Sequence, residues 1–288
     1  MISRILLTMC IVFSSLSAKI TETNEIQTIL PYIKQDSLVF FNLSDVLFEH
    51  TTYVAEGQFR DYFQARAAVL IEDAEQRAKL VNRVRNLLVT KLPKQNVEEV
   101  TASLVENLQK RKIPVLGITQ KMLSTPYASN FGELTHQALI DRGIDLAKTL
   151  DYLSLPVEQV TADYTFKWGV LFTEHHPIHS SLTAFLHHNS YTPAEIIMID
   201  NDLECLESAQ AAAQALEVPF QGIQYTKGDE RKAQFNLKAA ILQFFFLLDG
   251  HILPNEYALL LTSSSTDEEF KTLLDGFITS EYAQNLLN

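Results

Sequence analysis

Ser-Leu-Val-Phe-Phe-Asn-Leu-Ser-Asp-Val-Leu-Phe-Glu, residues 37–49, is the stretch from which the rest of the chain can be read. Leu38, Val39, Phe40 and Phe41 have the length and residue types of a strand buried on both faces. Asn42, Ser44 and Asp45 fall where that strand would empty into a loop. In an open parallel sheet, ligands sit just beyond such strand ends.

Working outward, four more apolar runs of strand length follow. Residues 113–118 lead to Thr119, residues 170–172 to Thr173, residues 196–199 to Asp200-Asn201-Asp202-Leu203-Glu204, and residues 220–225 come after Pro219. Between them apolar residues recur with helical period: Phe59, Tyr62, Phe63, Ala67 and Leu70, then Leu80, Val84, Leu87 and Leu88. Further helices are expected over residues 97–108, 133–142, 180–188 (with Ser180 as cap), 204–216, 232–248, 255–261 and 267–274. Residues 19–36 read as a lead-in helix or loop, and residues 143–165 as irregular polar sequence. Strand and helix alternate, which predicts βαβ units, a parallel sheet and the α/β class. Nine glycines among 288 residues are well below the ~7% of average usage, so helix should exceed strand.

Residues 1–18 carry one cation (Arg4), an apolar run over residues 5–13, and the small residues Ser14, Ser15, Ser17 and Ala18. That is the layout of a secretory signal peptide with cleavage near Ser17 or Ala18, and the run is too short for the ~20 residues of a membrane span. The expected destination is the periplasm, the outer-membrane surface or the exterior. Removing the segment takes away Arg4 and no acid, moving the net charge from −12 to −13. Nucleic acid and anionic membrane surfaces are then poor partners by repulsion. Of the two cysteines only Cys205 remains, so no intramolecular disulfide can form and the core must hold the fold.

Residues 38–48 resemble the first motif of the haloacid-dehalogenase-like (HAD) phosphohydrolases, an apolar strand followed by Asp-x-Asp-x-(Val/Thr)-Leu-Phe. The resemblance places Asn42 at the nucleophile position, Ser44 at the acid/base position, and Asp45 at the next, usually Gly or Asn. It makes Thr119 the phosphate-binding hydroxyl of the second motif. The third motif's Lys is absent, since no Lys lies between Lys167 and Lys227. Asp200 becomes the first acid of the fourth, magnesium-binding motif, with Asn201 in place of the second and Asp202 one position late. The implied architecture is a Rossmann-like core over residues 19–48 and 113–288 with a helical cap inserted at 49–112. The whole pattern is similar to a family of uncharacterised secreted HAD-like proteins of intracellular Gram-negative bacteria.

An aspartyl-phosphate mechanism needs a carboxylate nucleophile and a hard cation beside it. The Asn42 amide cannot attack phosphorus, and Ser44 cannot serve as a carboxylic acid/base, whose help is worth roughly 10²- to 10⁴-fold. Mg²⁺ is expected to bind weakly or not at all, with Asp200 as its matched ligand and Asp45 and Asp202 as helpers if the loops turn them inward. The leading expectation is a catalytically degenerate binding or interaction protein, directed to a small phosphorylated ligand or to a protein partner, including a host protein. The alternative is a metal-dependent phosphatase or other hydrolase using Asp45, Asp200 and Asp202. A third expectation is a zinc or nickel site built from His175, His176 and His179 with Asp200.

Overall fold

The computed structural model describes residues 18–121, 123–124 and 130–285. The expected signal segment, apart from Ala18, lies outside them. The chain begins its described course with strand β1 (Ala18–Thr23), a 3₁₀ turn over Ile26–Tyr32, and β2 (Ser37–Asn42). A short β3 (Phe48–His50) leads to helices α1 (Gly57–Leu70) and α2 (Ala74–Lys91), after which β4 (Lys94–Asn96) pairs back antiparallel on β3. Then come α3 (Thr101–Lys110), β5 (Val115–Thr119), α4 (Phe131–Ile140), β6 (Glu158–Val160), β7 (Thr165–Lys167) and β8 (Val170–Phe172). Helix α5 (Ile178–His188), β9 (Glu195–Asp200), α6 (Leu203–Ala215) and β10 (Phe220–Tyr225) close the alternating part. Five helices end the described chain: α7 (Lys227–Ala233), α8 (Leu237–Leu248), α9 (Asn255–Thr262), α10 (Asp267–Ile278) and α11 (Glu281–Asn285).

The main sheet has eight strands in the order β1-β10-β9-β2-β5-β8-β7-β6. The first six run parallel, and β7 and β6 add an antiparallel edge. This is the expected Rossmann-like α/β class. Alternation along β2 sends Val39 and Phe41 to one face and Leu38 and Phe40 to the other, and all four are fully buried. On the first face they meet Leu104, Val105 and Leu108 of α3. On the second they meet Leu182 and Phe185 of α5 and Leu206 and Ala209 of α6. Each buried Phe or Leu contributes about 2 kcal/mol of transfer free energy. That continuous burial explains why β2 reads as an unbroken apolar run.

Several elements depart from the sequence expectation. The lead-in contains a true strand, β1, which extends the parallel edge by pairing along β10. The stretch read as irregular holds the β6–β7–β8 meander. Its tight turn, Trp168-Gly169, has positive φ at both residues (54° and 74°), as a two-residue hairpin turn requires. Ser180 does not cap α5, which starts at Ile178 after Pro177; the Ser180 hydroxyl instead donates to the Pro177 carbonyl at 2.9 Å. The helix expected over residues 232–248 is two helices, because the Asn236 side chain caps a new start by accepting from the Ala239 amide.

Packing divides the helices of residues 49–112 between two layers. Helix α3 lies on the sheet, while the apolar faces of α1 and α2 share one cluster with α8, α9 and α10, through Phe59, Phe63 and Leu80 against Phe244, Ala258 and Leu274. The helical layer is thus built from two segments far apart in sequence. An aromatic group of Phe59, Phe63, Phe244 and Phe277, with ring centroids 5.1 to 6.2 Å apart, sits at its centre. Local sequence does not carry such pairing, because each helix alone shows only one apolar face.

Candidate functional site at the strand ends

Strand β2 is followed in the chain by β5 on one side and is flanked by the later β9 on the other. Connections therefore leave β2 and β9 in opposite directions, which opens a crevice beyond their carboxyl ends. The pairing Phe41 with Ile199 sets Asn42 level with Asp200, and Asn42 opposite Ile118 sets Thr119 one step beyond. These residues line a cavity of about 300 Å³ together with Ser44, Lys121 and Cys205.

Asn42 and Asp200 meet directly. The Asn42 Nδ2 donates to Asp200 Oδ1 at 2.8 Å and to Asn201 Oδ1 at 3.0 Å, while its Oδ1 accepts from the Leu43 amide at 2.8 Å. Asp200 also accepts from the Asp202 amide at 3.0 Å. Its side chain is 1% exposed, and burial pushes its carboxyl up from 3.8 to about 7 against the lowering effect of those hydrogen bonds.

The other expected acids also line this cavity but are engaged by other partners. Asp202 is exposed and caps α6, accepting from the Glu204 amide at 2.9 Å. Asp45 pairs with Arg231 at 2.9 Å and Lys232 at 3.4 Å. Burial would raise its carboxyl, but those two cations outweigh it and hold the pKa low. Its φ of 61° is left-handed, which explains why Gly or Asn suits this position and why a short acid can replace them. Arg231 is shared further with Glu56 at 2.6 Å and with Glu49.

A magnesium ion wants several charged oxygens around it. Here one carboxylate, Asp200, faces an amide nitrogen, the Asn42 oxygen is taken by the backbone, and Asp45 and Asp202 are engaged with other partners. This donor set does not fit the ion. His175 and His176 lie exposed in the loop before α5, and His179 is exposed on its first turn, its Nδ1 3.5 Å from the Ser208 hydroxyl. Among the described residues no three His, Cys, Asp or Glu side chains come together in a group that could hold a metal. Cys205 is buried and its thiol is pushed up to about 12, chiefly by burial, which disfavours the thiolate.

The residue that sequence reasoning missed is Lys121. Its Nζ donates to Ser44 Oγ at 2.5 Å and lies 5.6 Å from the centre of the Phe48 ring. Although part of the side chain reaches solvent, burial of the ammonium, with lesser effects from Lys94 and Arg60, pushes its pKa down to about 8. The cation at this site comes not from the helix start after β8 but from a Lys two residues past Thr119, on the neighbouring strand end. Thr119 Oγ1 accepts from the Lys121 amide at 3.3 Å, tying the two together.

The family model of DUF2608, described as a protein of unknown function, matches residues 19–258, from β1 into α9. The chain belongs to DUF2608. The match spans both the strand-end cavity and the Arg231 cluster of this family member. A Chlamydia pneumoniae protein named "Putative outer membrane protein" is 24% identical to the DUF2608 chain over 247 residues, 80% of this chain and 85% of that one. No solved structure matches it. No helix among the described residues is long and apolar enough to cross a membrane.

Proposed function

We propose that this chain is an exported protein with a HAD-like core that retains the strand-end pocket of a phosphohydrolase and binds a small phosphorylated ligand there, without aspartyl phosphoryl transfer. The observation that carries the reading is the Asn42 amide, which occupies the nucleophile position and spends its N–H groups on Asp200 and Asn201. An amide so engaged offers phosphorus no lone pair and offers a cation no charge. Ligand binding is favoured by what remains: the Thr119 hydroxyl and the Lys121 ammonium at one end of the cavity. Below its pKa of about 8 the ammonium is charged and can neutralise a phosphate oxygen.

The HAD-like core is residues 19–48 and 113–288; of the insertion at 49–112, α1 and α2 take the place of a cap as the first half of the helical layer, while α3 packs on the sheet. Export is supported by the pattern of residues 1–18 and by the name of the Chlamydia relative. The test uses purified chain with residues 1–18 removed, assayed on p-nitrophenyl phosphate and other phosphomonoesters with Mg²⁺ or Mn²⁺, beside Asp200→Ala. The expected result is no metal-dependent release of phosphate. Calorimetry with inorganic phosphate should show binding at pH 7 that weakens roughly 10-fold or more in Lys121→Met, the value of one charge-assisted hydrogen bond. Metal-dependent turnover that Asp200→Ala abolishes would overturn the proposal.

A further inference from the structure

The Ser44–Lys121 contact is more than a substitute for lost charge. We propose that Ser44 and Lys121 form a nucleophile–base pair able to cleave carboxylic esters, an acyl-transfer activity separate from phosphoryl transfer and independent of the ligand reading above. Three features of placement carry it. The Oγ to Nζ distance is 2.5 Å, the reach that lets a base take the hydroxyl proton. Ser44 lies on the loop just beyond β2, at the carboxyl edge of the sheet, where a hydroxyl faces an open crevice. Both residues line the 300 Å³ cavity and a second cavity of about 390 Å³ under α1 and α2, so a substrate has room on either side of the hydroxyl.

The surroundings keep the amine available as a base. Arg60 on α1 and Lys94 on β4 disfavour its charge beside the effect of burial, while Asp45 on the loop favours it. His50 on β3 is held neutral, its own pKa pushed down to about 3, and so adds no competing charge. The Phe48 ring covers the ammonium on one side. Asp45 itself is occupied by Arg231 and Lys232 and makes no ion pair with Lys121 that would hold the proton. With its pKa lowered to about 8, the neutral amine is within reach near neutral pH and grows as pH rises.

In the reaction, Ser44 Oγ forms a bond to the ester carbonyl carbon as its proton passes to Lys121 Nζ. The tetrahedral species collapses, the carbon–alkoxy bond breaks, and the alcohol leaves with that proton. Water then adds to the acyl-serine with Lys121 again accepting a proton, and the carboxylic acid is released as Ser44 recovers its hydrogen. Recurrence of serine–lysine pairs on unrelated folds shows that the chemistry needs the geometry and not a particular scaffold.

The experiment treats the purified chain with a fluorophosphonate probe, in which the serine oxygen displaces fluoride from phosphorus, and maps the adduct by peptide mass spectrometry. Hydrolysis of p-nitrophenyl acetate and butyrate is followed in parallel from pH 6 to 10. The adduct is expected on Ser44, with ester turnover rising to a plateau through an apparent pKa near 8. Lys121→Met should lower both rates by on the order of 10²-fold or more. Lys121→Arg keeps the cation and the fold but cannot lose its proton, and should be equally slow. Circular dichroism melts confirm that each variant is folded; the adduct site on the unaltered chain needs no variant at all. An unlabelled Ser44 in the unaltered chain, or labelling that Lys121→Met leaves unchanged, would overturn the pair. Phosphate calorimetry on Ser44→Ala, which keeps Thr119 and Lys121, reports on the ligand reading alone, so the two proposals fail separately.

Discussion

Replacing Asp200 by Asn should make the protein more stable at pH 8 while changing little at acid pH. The side chain is 1% exposed and its carboxyl titrates at about 7 in the folded chain against an ordinary 3.8. A raised carboxylate pKa means that the folded state holds its proton where the unfolded state has released it, so stability falls as pH rises between these values. Integrated to pH 8, the penalty is about 4 kcal/mol, and at pH 5 it is already about 2 kcal/mol. Asn keeps the geometry, because the bonds from Asn42 and from the Asp202 amide both end on Oδ1, which the carboxamide retains as a carbonyl. A further backbone bond from Asn201 to the carboxylate is weakened, at about 1 kcal/mol. The net gain at pH 8 is thus about 3 kcal/mol. The cleaner quantity is the difference in slope, since the unaltered chain should lose about 2–3 kcal/mol relative to Asp200→Asn between pH 5 and 8. Urea unfolding monitored by circular dichroism at pH 5, 6.5 and 8 measures it. Parallel stability curves for the two proteins would refute the burial argument, and a variant less stable at pH 8 would mean that a cation holds the carboxylate in its charged form.

Two other outcomes follow from the same geometry. Arg231→Met removes the cation shared by Asp45, Glu49 and Glu56, the last only 4% exposed, and should cost about 3–5 kcal/mol in urea unfolding at pH 7. The loss should shrink at pH 5, where Glu56, whose carboxyl burial already raises, can take a proton. Asn42→Asp with Ser44→Asp should create measurable Mg²⁺ binding by calorimetry, because two carboxylates then join Asp200; unchanged affinity would show that these positions do not converge on one ion.

The strands that carry the site were legible because each is a short apolar run closing on a polar residue: Phe41 on Asn42, Ile118 on Thr119, Ile199 on Asp200. Burial on both faces forces that pattern, so sequence and structure agree there. The edges of the sheet were not legible. In β1 the run Ala-Lys-Ile-Thr-Glu-Thr is half exposed and abuts the expected signal segment, and β6 and β7 are three residues each, too short for periodicity to register. Nor was the direction of the acids. Asp45 and Asp202 sit within three residues of the expected ligands, yet one is claimed by an arginine 186 positions away and the other by its own helix start. Spacing along the chain constrains where a carboxylate begins and leaves open which partner it finds.

Asp45 braces the loop that carries Ser44. Its backbone must hold a left-handed conformation, which costs about 1 kcal/mol in a residue other than glycine. Arg231 and Lys232 of α7 grip the carboxylate, and Gly228 brings the same helix so close that an added Cβ would stand 3.3 Å from the Asp45 Cβ. The turn immediately preceding, which carries Ser44 to the ammonium of Lys121, is thus braced by a helix that enters only after the sheet is complete. An acid at this position acts as the anchor of the loop rather than as a ligand at the strand end. It follows that loosening α7 should move Ser44 before it disturbs Asn42, whose own bonds to Asp200, Asn201 and Leu43 all lie within the sheet and its immediate turns.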